Sequence, residues 1–139
     1  MLNTGSPEMF TWAGRYCENT GTPILRVTVS GNALEHAIEV DAIIDTGFAG
    51  FVLMPIMQAL PLGLTLVGVA EFTLADGRTA ANYTGLGSVS IEGESRSGIF
   101  VLESNPECGN VLLGMAFLRR LDASLTVDKA GVTIASQEA

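Results

Sequence analysis

Apolar and polar residues alternate along most of the chain after position 23, with the period of two residues that is typical of half-buried β-strands. In the first such segment Leu25, Val27 and Val29 share one face, and the residues between them are polar or charged. The pattern predicts ten short strands. They lie at 24–29, 38–44, 51–54, 64–74, 79–83, 88–91, 98–102, 111–113, 125–128 and 132–134.

Helical and turn signals are few. Pro55 is suited to a first helical residue and predicts a short helix over 56–60, and a second is predicted over 115–121. Asp76-Gly77 is a strong hairpin signal, because both central residues of a type I′ turn need positive φ. Gly85-x-Gly87 lacks the third glycine of a dinucleotide-binding loop and predicts another turn.

Short strands and two short helices in 139 residues predict a single all-β domain built as a closed or nearly closed barrel. Its predicted bounds are residues 23–139. Residues 1–22 are polar and turn-rich without a clear period, which predicts an N-terminal extension. Phe10, Trp12 and Tyr16 could anchor this extension on the barrel.

Charge narrows the classes of partner. The chain carries 15 acidic and 7 basic residues, a formal net charge of −8, which disfavours binding to nucleic acid.

Residues 46–70 contain no charge, as a membrane-spanning helix would, but prolines and glycines interrupt them and favour a buried core segment. Because the N-terminus lacks the pattern of a signal peptide, we expect a cytoplasmic protein without a membrane partner.

Cysteine and histidine offer little chemistry. Cys17 and Cys108 form no C-x-x-C pair, so two idle thiols are expected, although a disulfide between them stays possible. The single histidine, His36, has no nucleophile motif beside it and predicts no catalytic triad. The spacing of these residues indicates no metal site, and no cofactor is expected.

One acid stands out by its position. Asp45 ends an apolar strand, where burying a carboxylate is costly unless the group is paired or functional. Thr46 and Gly47 follow it in a tight turn that could expose backbone groups to a ligand. The alternative, a turn acid that only caps its own loop, is open on this tripeptide alone.

The surrounding motifs resemble a known family. Asp-Thr-Gly-Phe-x-Gly-Phe at 45–51, Leu-Gly-Leu at 62–64, Leu-Ala-Asp-Gly at 74–77 and Leu-Leu-Gly-Met-x-x-Leu at 112–118 occur in that order. Together they resemble the retropepsin-like aspartic proteases of clan AA, in particular the small single-domain prokaryotic members. The resemblance covers about residues 24–135.

The resemblance implies an aspartic endopeptidase that works as a homodimer on peptide or protein substrates. Each chain has one such acid, and the two-fold axis would supply the second. Asp45 and its symmetry mate would share a proton, because two carboxylates a few ångströms apart do not both ionise easily. The ionised carboxylate would draw a proton from water while the protonated one donates to the scissile carbonyl oxygen.

The resemblance also implies roles for individual residues. Beside the catalytic Asp45, Thr46 would hydrogen-bond across the dimer interface and Gly47 would let a peptide backbone lie close to the acids. Residues 74–80 would form a flap that closes over substrate. Substrate contacts are expected from Phe48, Ala49, Ala75, Asp76, Gly77 and Leu113.

Three further roles concern the scaffold. Leu112 and Leu113 would pack behind the active-site loop, and Gly114 would permit a close crossing of two chain segments. The last strand, 132–134, is a candidate for pairing with the second subunit.

One departure from the family pattern leaves alternatives open. Ala49 stands where many relatives carry a Ser or Asp that hydrogen-bonds the outer carboxylate oxygen or the substrate. Its presence is the feature that favours the alternative to the endopeptidase, a catalytically inactive peptide-binding or dimerisation module. A β-barrel that binds small apolar ligands is the third hypothesis. The extension at 1–22 could lie on the substrate groove, be a removable pro-segment, or hang free.

Overall fold

The computed structural model describes residues 10–31, 36–73, 77–104 and 110–136. These residues form ten β-strands and two short helices. The strands are β1 (Thr11–Tyr16), β2 (Pro23–Gly31), β3 (Ala37–Ile44), β4 (Val52–Pro55), β5 (Thr65–Thr73), β6 (Thr79–Ile91), β7 (Glu94–Glu103), β8 (Val111–Leu113), β9 (Ala123–Asp128) and β10 (Gly131–Ser136). The helices are α1 (Ile56–Ala59), which a single 3₁₀ turn (Leu60–Leu62) extends, and α2 (Met115–Leu121).

Six strands close into a barrel. The strand order is β5-β6-β7-β4-β8-β3-β2-β1-β10-β9, and β6 pairs with β2 as well. This additional pairing closes the ring β2-β3-β8-β4-β7-β6, within which β3 and β8, and also β4 and β7, run parallel. The all-β class, the barrel and both short helices are therefore confirmed.

The barrel interior is filled by the apolar face that the alternating pattern predicted. Val29, Val52, Met54, Phe100 and Leu113 have no exposed surface. Interdigitated packing of such side chains supplies most of the free energy that holds a domain of this size together. The core lies directly beneath the loop that follows β3.

The glycines at 85 and 87 lie inside a strand, so the turn predicted there is wrong. β6 runs without interruption through both of them, and β5 and β7 pair along its two edges. A Cβ on Gly87 would lie 2.7 Å from Leu64 Cδ2 and 3.0 Å from Phe100 Cε1. These glycines therefore make room for core side chains instead of bending the chain.

The segment before Pro23 contains a strand that the sequence pattern did not predict. β1 pairs with β10 through Thr11–Gly14 and with β2 through Arg15 and Tyr16. Trp12 is 3% exposed, and its ring stacks on Phe10 with centroids 4.2 Å apart. The predicted aromatic anchor is confirmed, and residues 11–16 do not hang free.

β10 has neighbours on both edges. β1 pairs with one side of the strand and β9 with the other. Since no backbone edge of 132–134 is left for another chain, the prediction that these residues pair with a second subunit is wrong. Among the described strands, β9 and β5 are the two at the ends of the order.

The charge-free segment 46–70 contains a loop, β4, α1, the 3₁₀ turn and the start of β5. Gly63 ends the turn with a φ of 69°, a left-handed conformation that suits glycine. Within the described residues, every helix is too short or too polar to span a lipid bilayer.

Candidate active site

Asp45 lies at the rim of the barrel, directly after β3 and beside the end of the parallel strand β8. β3 ends at Ile44, which pairs with Leu113 at the end of β8. The backbone N–H of Asp45 continues this ladder by donating to the Leu113 carbonyl oxygen at 2.9 Å. The position of the acid is thus fixed by the sheet and not by the turn alone.

The turn after β3 holds the carboxylate through backbone groups. The Gly47 N–H donates to Asp45 Oδ1 at 2.9 Å, and the Phe48 N–H donates to the Asp45 carbonyl oxygen at 3.1 Å. A Cβ on Gly47 would lie 3.2 Å from Oδ1, so glycine allows this close contact. Asp45 is half-buried, whereas Thr46 and Gly47 are exposed.

Asp45 therefore does cap its own loop, as a turn acid would. The cap engages Oδ1, and no hydrogen bond to Oδ2 is found among the described residues. A carboxylate held through one oxygen on an exposed turn keeps a second oxygen for a ligand or for another carboxyl group. The capping role and a catalytic role are compatible in this geometry.

The N-terminus of α2 hydrogen-bonds to the loop at 45–51, the candidate active-site loop. The Met115 N–H donates to the Phe48 carbonyl oxygen at 2.8 Å, and the Ala116 N–H donates to the Gly50 carbonyl oxygen at 3.1 Å. Gly114, the N-cap, makes no side-chain cap hydrogen bond. The loop carbonyls therefore satisfy N–H groups that a short helix leaves free at its start.

Gly114 permits the close crossing that the resemblance implied. Its N–H donates to the Phe51 carbonyl oxygen at 3.0 Å. A Cβ at this position would overlap the Gly50 carbonyl oxygen and lie 2.5 Å from Phe48 Cδ2. Only a glycine fits between the loop and the helix.

The two phenylalanines of the loop pack in different places. Phe51 is buried against Gly98 and meets Phe117 edge-on, with centroids 5.6 Å apart. The Arg120 guanidinium covers the Phe51 ring at 5.7 Å from its centroid. Phe48, predicted as a substrate contact, is half-buried and lies on the backbone of Gly50 and Gly114.

Ala49 and Leu113, which were also predicted as substrate contacts, differ in exposure. Ala49 is exposed at the tip of the loop and brings no polar side-chain atom to it. Leu113 is fully buried in the core, where it packs behind the loop. This is the packing role expected for Leu113, whereas the substrate contact also expected from it does not fit a side chain without exposed surface.

The hairpin that carries the predicted flap is formed by β5 and β6, which pair from Thr65↔Leu86 to Thr73↔Thr79. Gly77 is exposed with a φ of 87°, as a hairpin tip requires. Ala75 and Asp76 lie outside the described residues, as does Leu74.

Thr46 opens onto a cavity of ≈ 420 Å³. Met115 and Leu118 of α2 and Leu125 of β9 line much of its wall. The sequence pattern did not reveal this surface, because a seven-residue helix is too short to show which of its apolar faces lacks a partner. The Leu-Leu-Gly-Met-x-x-Leu motif was the only signal nearby.

A second cavity, of ≈ 270 Å³, lies at the base of the flap hairpin. Its lining is mainly apolar, and Asn82 contributes a buried amide. None of these residues was predicted to have a function. They are Ile56, Val69, Ala81, Asn82, Tyr83, Leu102 and Ser104.

The remaining reactive side chains lie away from Asp45 in the sequence. Cys17 is a free thiol, and hydrogen bonds from the Thr20 side chain and from the Thr20 and Asn19 backbone lower its pKa. Cys108 lies outside the described residues. His36 is exposed just before β3. In the described part of the chain, no three His, Cys, Asp or Glu side chains cluster as metal ligands would.

Comparison with known proteins identifies one family. The model of the family described as "gag-polyprotein putative aspartyl protease" matches residues 30–120, a range that contains Asp45, the flap hairpin and the start of α2. The match and the barrel together confirm the resemblance to retropepsin-like aspartic proteases and their fold. No curated protein matches the chain.

Proposed function

Because the chain belongs to the gag-polyprotein aspartyl protease family, we propose that it is an aspartic endopeptidase in which two copies each contribute Asp45. The observation that carries this proposal is the placement of Asp45, which two strands and the Gly47 N–H fix on an otherwise exposed turn. The loop from 45 to 51 holds one acid, and in this proposal the second carboxylate comes from the same loop of another copy.

The chemistry follows from two carboxylates that share one proton. The ionised carboxylate takes a proton from a water molecule, whose oxygen attacks the scissile carbonyl carbon. The protonated carboxylate donates its proton to the carbonyl oxygen. Collapse of the tetrahedral intermediate breaks the C–N bond: one carboxyl group protonates the departing amine, and the ionised carboxylate takes a hydroxyl proton from the intermediate, so that the pair again holds one proton. The carboxyl groups act only by transferring protons, so no covalent intermediate forms on the protein.

The second copy would dock beside Thr46. The cavity next to this residue is lined by the apolar side chains of Met115, Leu118, Ala123 and Leu125 and by the charged Arg119 and Asp122, and Met115 is 37% exposed. β9, which contributes Leu125, is an end strand whose outer edge can pair with another chain. Burying this face would bring the two Asp45 turns together at the two-fold axis.

Substrate would lie over Ala49 and beneath the flap, residues 74–80. Closure of a hairpin over the groove excludes water from the reaction. Ala49 and Gly77 are both exposed, as contacts with a peptide backbone require.

The test compares wild type with Asp45→Asn. We expect wild type to cleave members of a peptide library at acidic to neutral pH, and Asp45→Asn to cleave none. Sedimentation should give both proteins about twice the 14.6 kDa chain mass. Equal cleavage by the two proteins, or a strictly monomeric wild type, would contradict the proposal.

A second candidate is a peptide-binding module without turnover, which Ala49 favours. An exposed alanine at this position offers no hydrogen bond to the carboxylate or to substrate. In that case wild type and Asp45→Asn bind the same peptides equally and leave them intact, whereas Ala49→Ser gains cleavage. Cleavage by the unmodified protein rules this candidate out.

A further inference from the structure

The ring of Phe48 lies directly on two glycines from different segments. A Cβ on Gly50 would be 2.6 Å from the ring carbon Cζ, and a Cβ on Gly114 would be 2.5 Å from Cδ2. The ring therefore packs on the backbone of both the active-site loop and the segment before α2. It closes the space that both glycines leave open.

The backbone of the same residue joins the same two segments. Its N–H donates to the Asp45 carbonyl oxygen at 3.1 Å, and its carbonyl oxygen accepts from the Met115 N–H at 2.8 Å. Because Gly114 provides no side-chain cap, the start of α2 depends on such loop carbonyls. The backbone of Phe48 therefore links Asp45 to α2 by one hydrogen bond to each.

On the basis of the proposed function, we propose that Phe48 is a positioning residue for Asp45 and not a substrate contact. Two carboxylates share a proton only over a short separation, so the turn that carries each one must be held firmly. The Phe48 ring supplies this rigidity by packing on Gly50 of the loop and on Gly114 at the start of α2. The side chain acts on the reaction through Asp45 and touches no reacting atom.

The test replaces Phe48 with leucine and uses Phe100→Leu as a matched control. The control makes the same chemical change at Phe100, which is fully buried in the barrel core with its ring centroid 6.2 Å from that of Phe51, and it leaves the contacts of Phe48 with Gly50 and Gly114 in place. We expect Phe48→Leu to lower kcat by about tenfold or more, with KM within about twofold of wild type. Phe100→Leu should lower the melting temperature more than Phe48→Leu does, and it should leave kcat unchanged.

The pH profile separates positioning from general loosening. A change in the separation of the two carboxylates alters how they share the proton, so the profile of kcat should shift in Phe48→Leu. The Phe100→Leu profile should coincide with wild type. A raised KM with unchanged kcat and an unshifted profile would assign Phe48 to substrate binding and overturn the proposal.

Hydrogen exchange tests the same claim without catalysis. The amides of Met115 and Ala116 should exchange faster in Phe48→Leu than in wild type or Phe100→Leu, because their loop acceptors are loosened. Unchanged exchange would overturn the role of Phe48 even if Asp45-dependent cleavage supports the endopeptidase. Faster exchange in a protein that cleaves nothing would support that role and reject the proposed function.

Discussion

Contacts between phenylalanine rings and glycines determine the shape of the active-site loop. Phe48 lies on Gly50 and Gly114, and Phe51 lies on Gly98. A glycine Cα has no side chain to hold a ring away, so each ring reaches the backbone itself. The loop is therefore held by close packing on both sides of Ala49, as a turn that presents a carboxylate requires.

Gly114 gives the sharpest stability prediction. We expect Gly114→Ala to destabilise the fold by about 2–3 kcal/mol, because its Cβ would overlap the backbone of the loop at Phe48 and Gly50. Urea unfolding measures the difference. Gly68→Ala is the control, since a Cβ there meets only Thr84 Oγ1 at 3.8 Å. Equal stability of the two variants would show that the crossing is not tight.

At this scale the sequence predicted the location of Asp45 but not the surroundings of its neighbours. A strand that ends at an acid can be read from alternation. Whether Phe48 packs on its own loop depends on which backbone lies opposite. That information comes from pairings between distant segments, which the local pattern does not contain.

At the scale of elements, the period of two residues predicted most of the strands and failed in two places. β1 buries only Trp12 fully, so its residues show little alternation of apolar and polar character. Its strand conformation comes from pairing with β10 and β2. β6 contains two glycines that read as a turn, although the strands on both sides of β6 hold it extended.

Trp12 tests whether β1 is an integral part of the sheet. We expect Trp12→Ala to cost about 3–5 kcal/mol of unfolding free energy, because a large buried ring is lost from the core. Trp12→Phe should cost much less, since the indole N–H has no hydrogen-bond partner among the described residues. Urea titration of both variants measures this, and a Trp12→Ala protein as stable as wild type would contradict an integral β1.

At the scale of the whole molecule, the chain is a complete barrel with half of a proposed reaction centre. The strand pattern predicted the barrel because each strand buries one face within a single chain. The family resemblance, and not the strand pattern, suggested that 132–134 would pair with a second copy, but both edges of β10 are occupied. Among the described strands β9 lies at one end of the order, so we place the proposed contact with a second copy at its outer edge and at the cavity beside Thr46.

Dimer stability should depend on pH. A proton that two carboxylates share only in the dimer is bound more tightly there than in separate chains, so the dimer is favoured at low pH. We expect the dissociation constant to rise with pH, by up to about tenfold per pH unit, as that proton is lost. Sedimentation across a pH series measures it. Asp45→Asn, which cannot share the proton, should show a flatter dependence, and parallel curves for the two proteins would argue against sharing.

The most direct test of a reaction centre shared between two chains is a mixing experiment. Wild type at fixed concentration is equilibrated with increasing amounts of Asp45→Asn, and cleavage of a saturating peptide is measured. If each centre needs Asp45 from both chains, a ninefold excess of the variant should leave about a tenth of the original rate, because most wild-type chains then pair with an inactive one. An unchanged rate, with mixed dimers shown to form, would contradict the account.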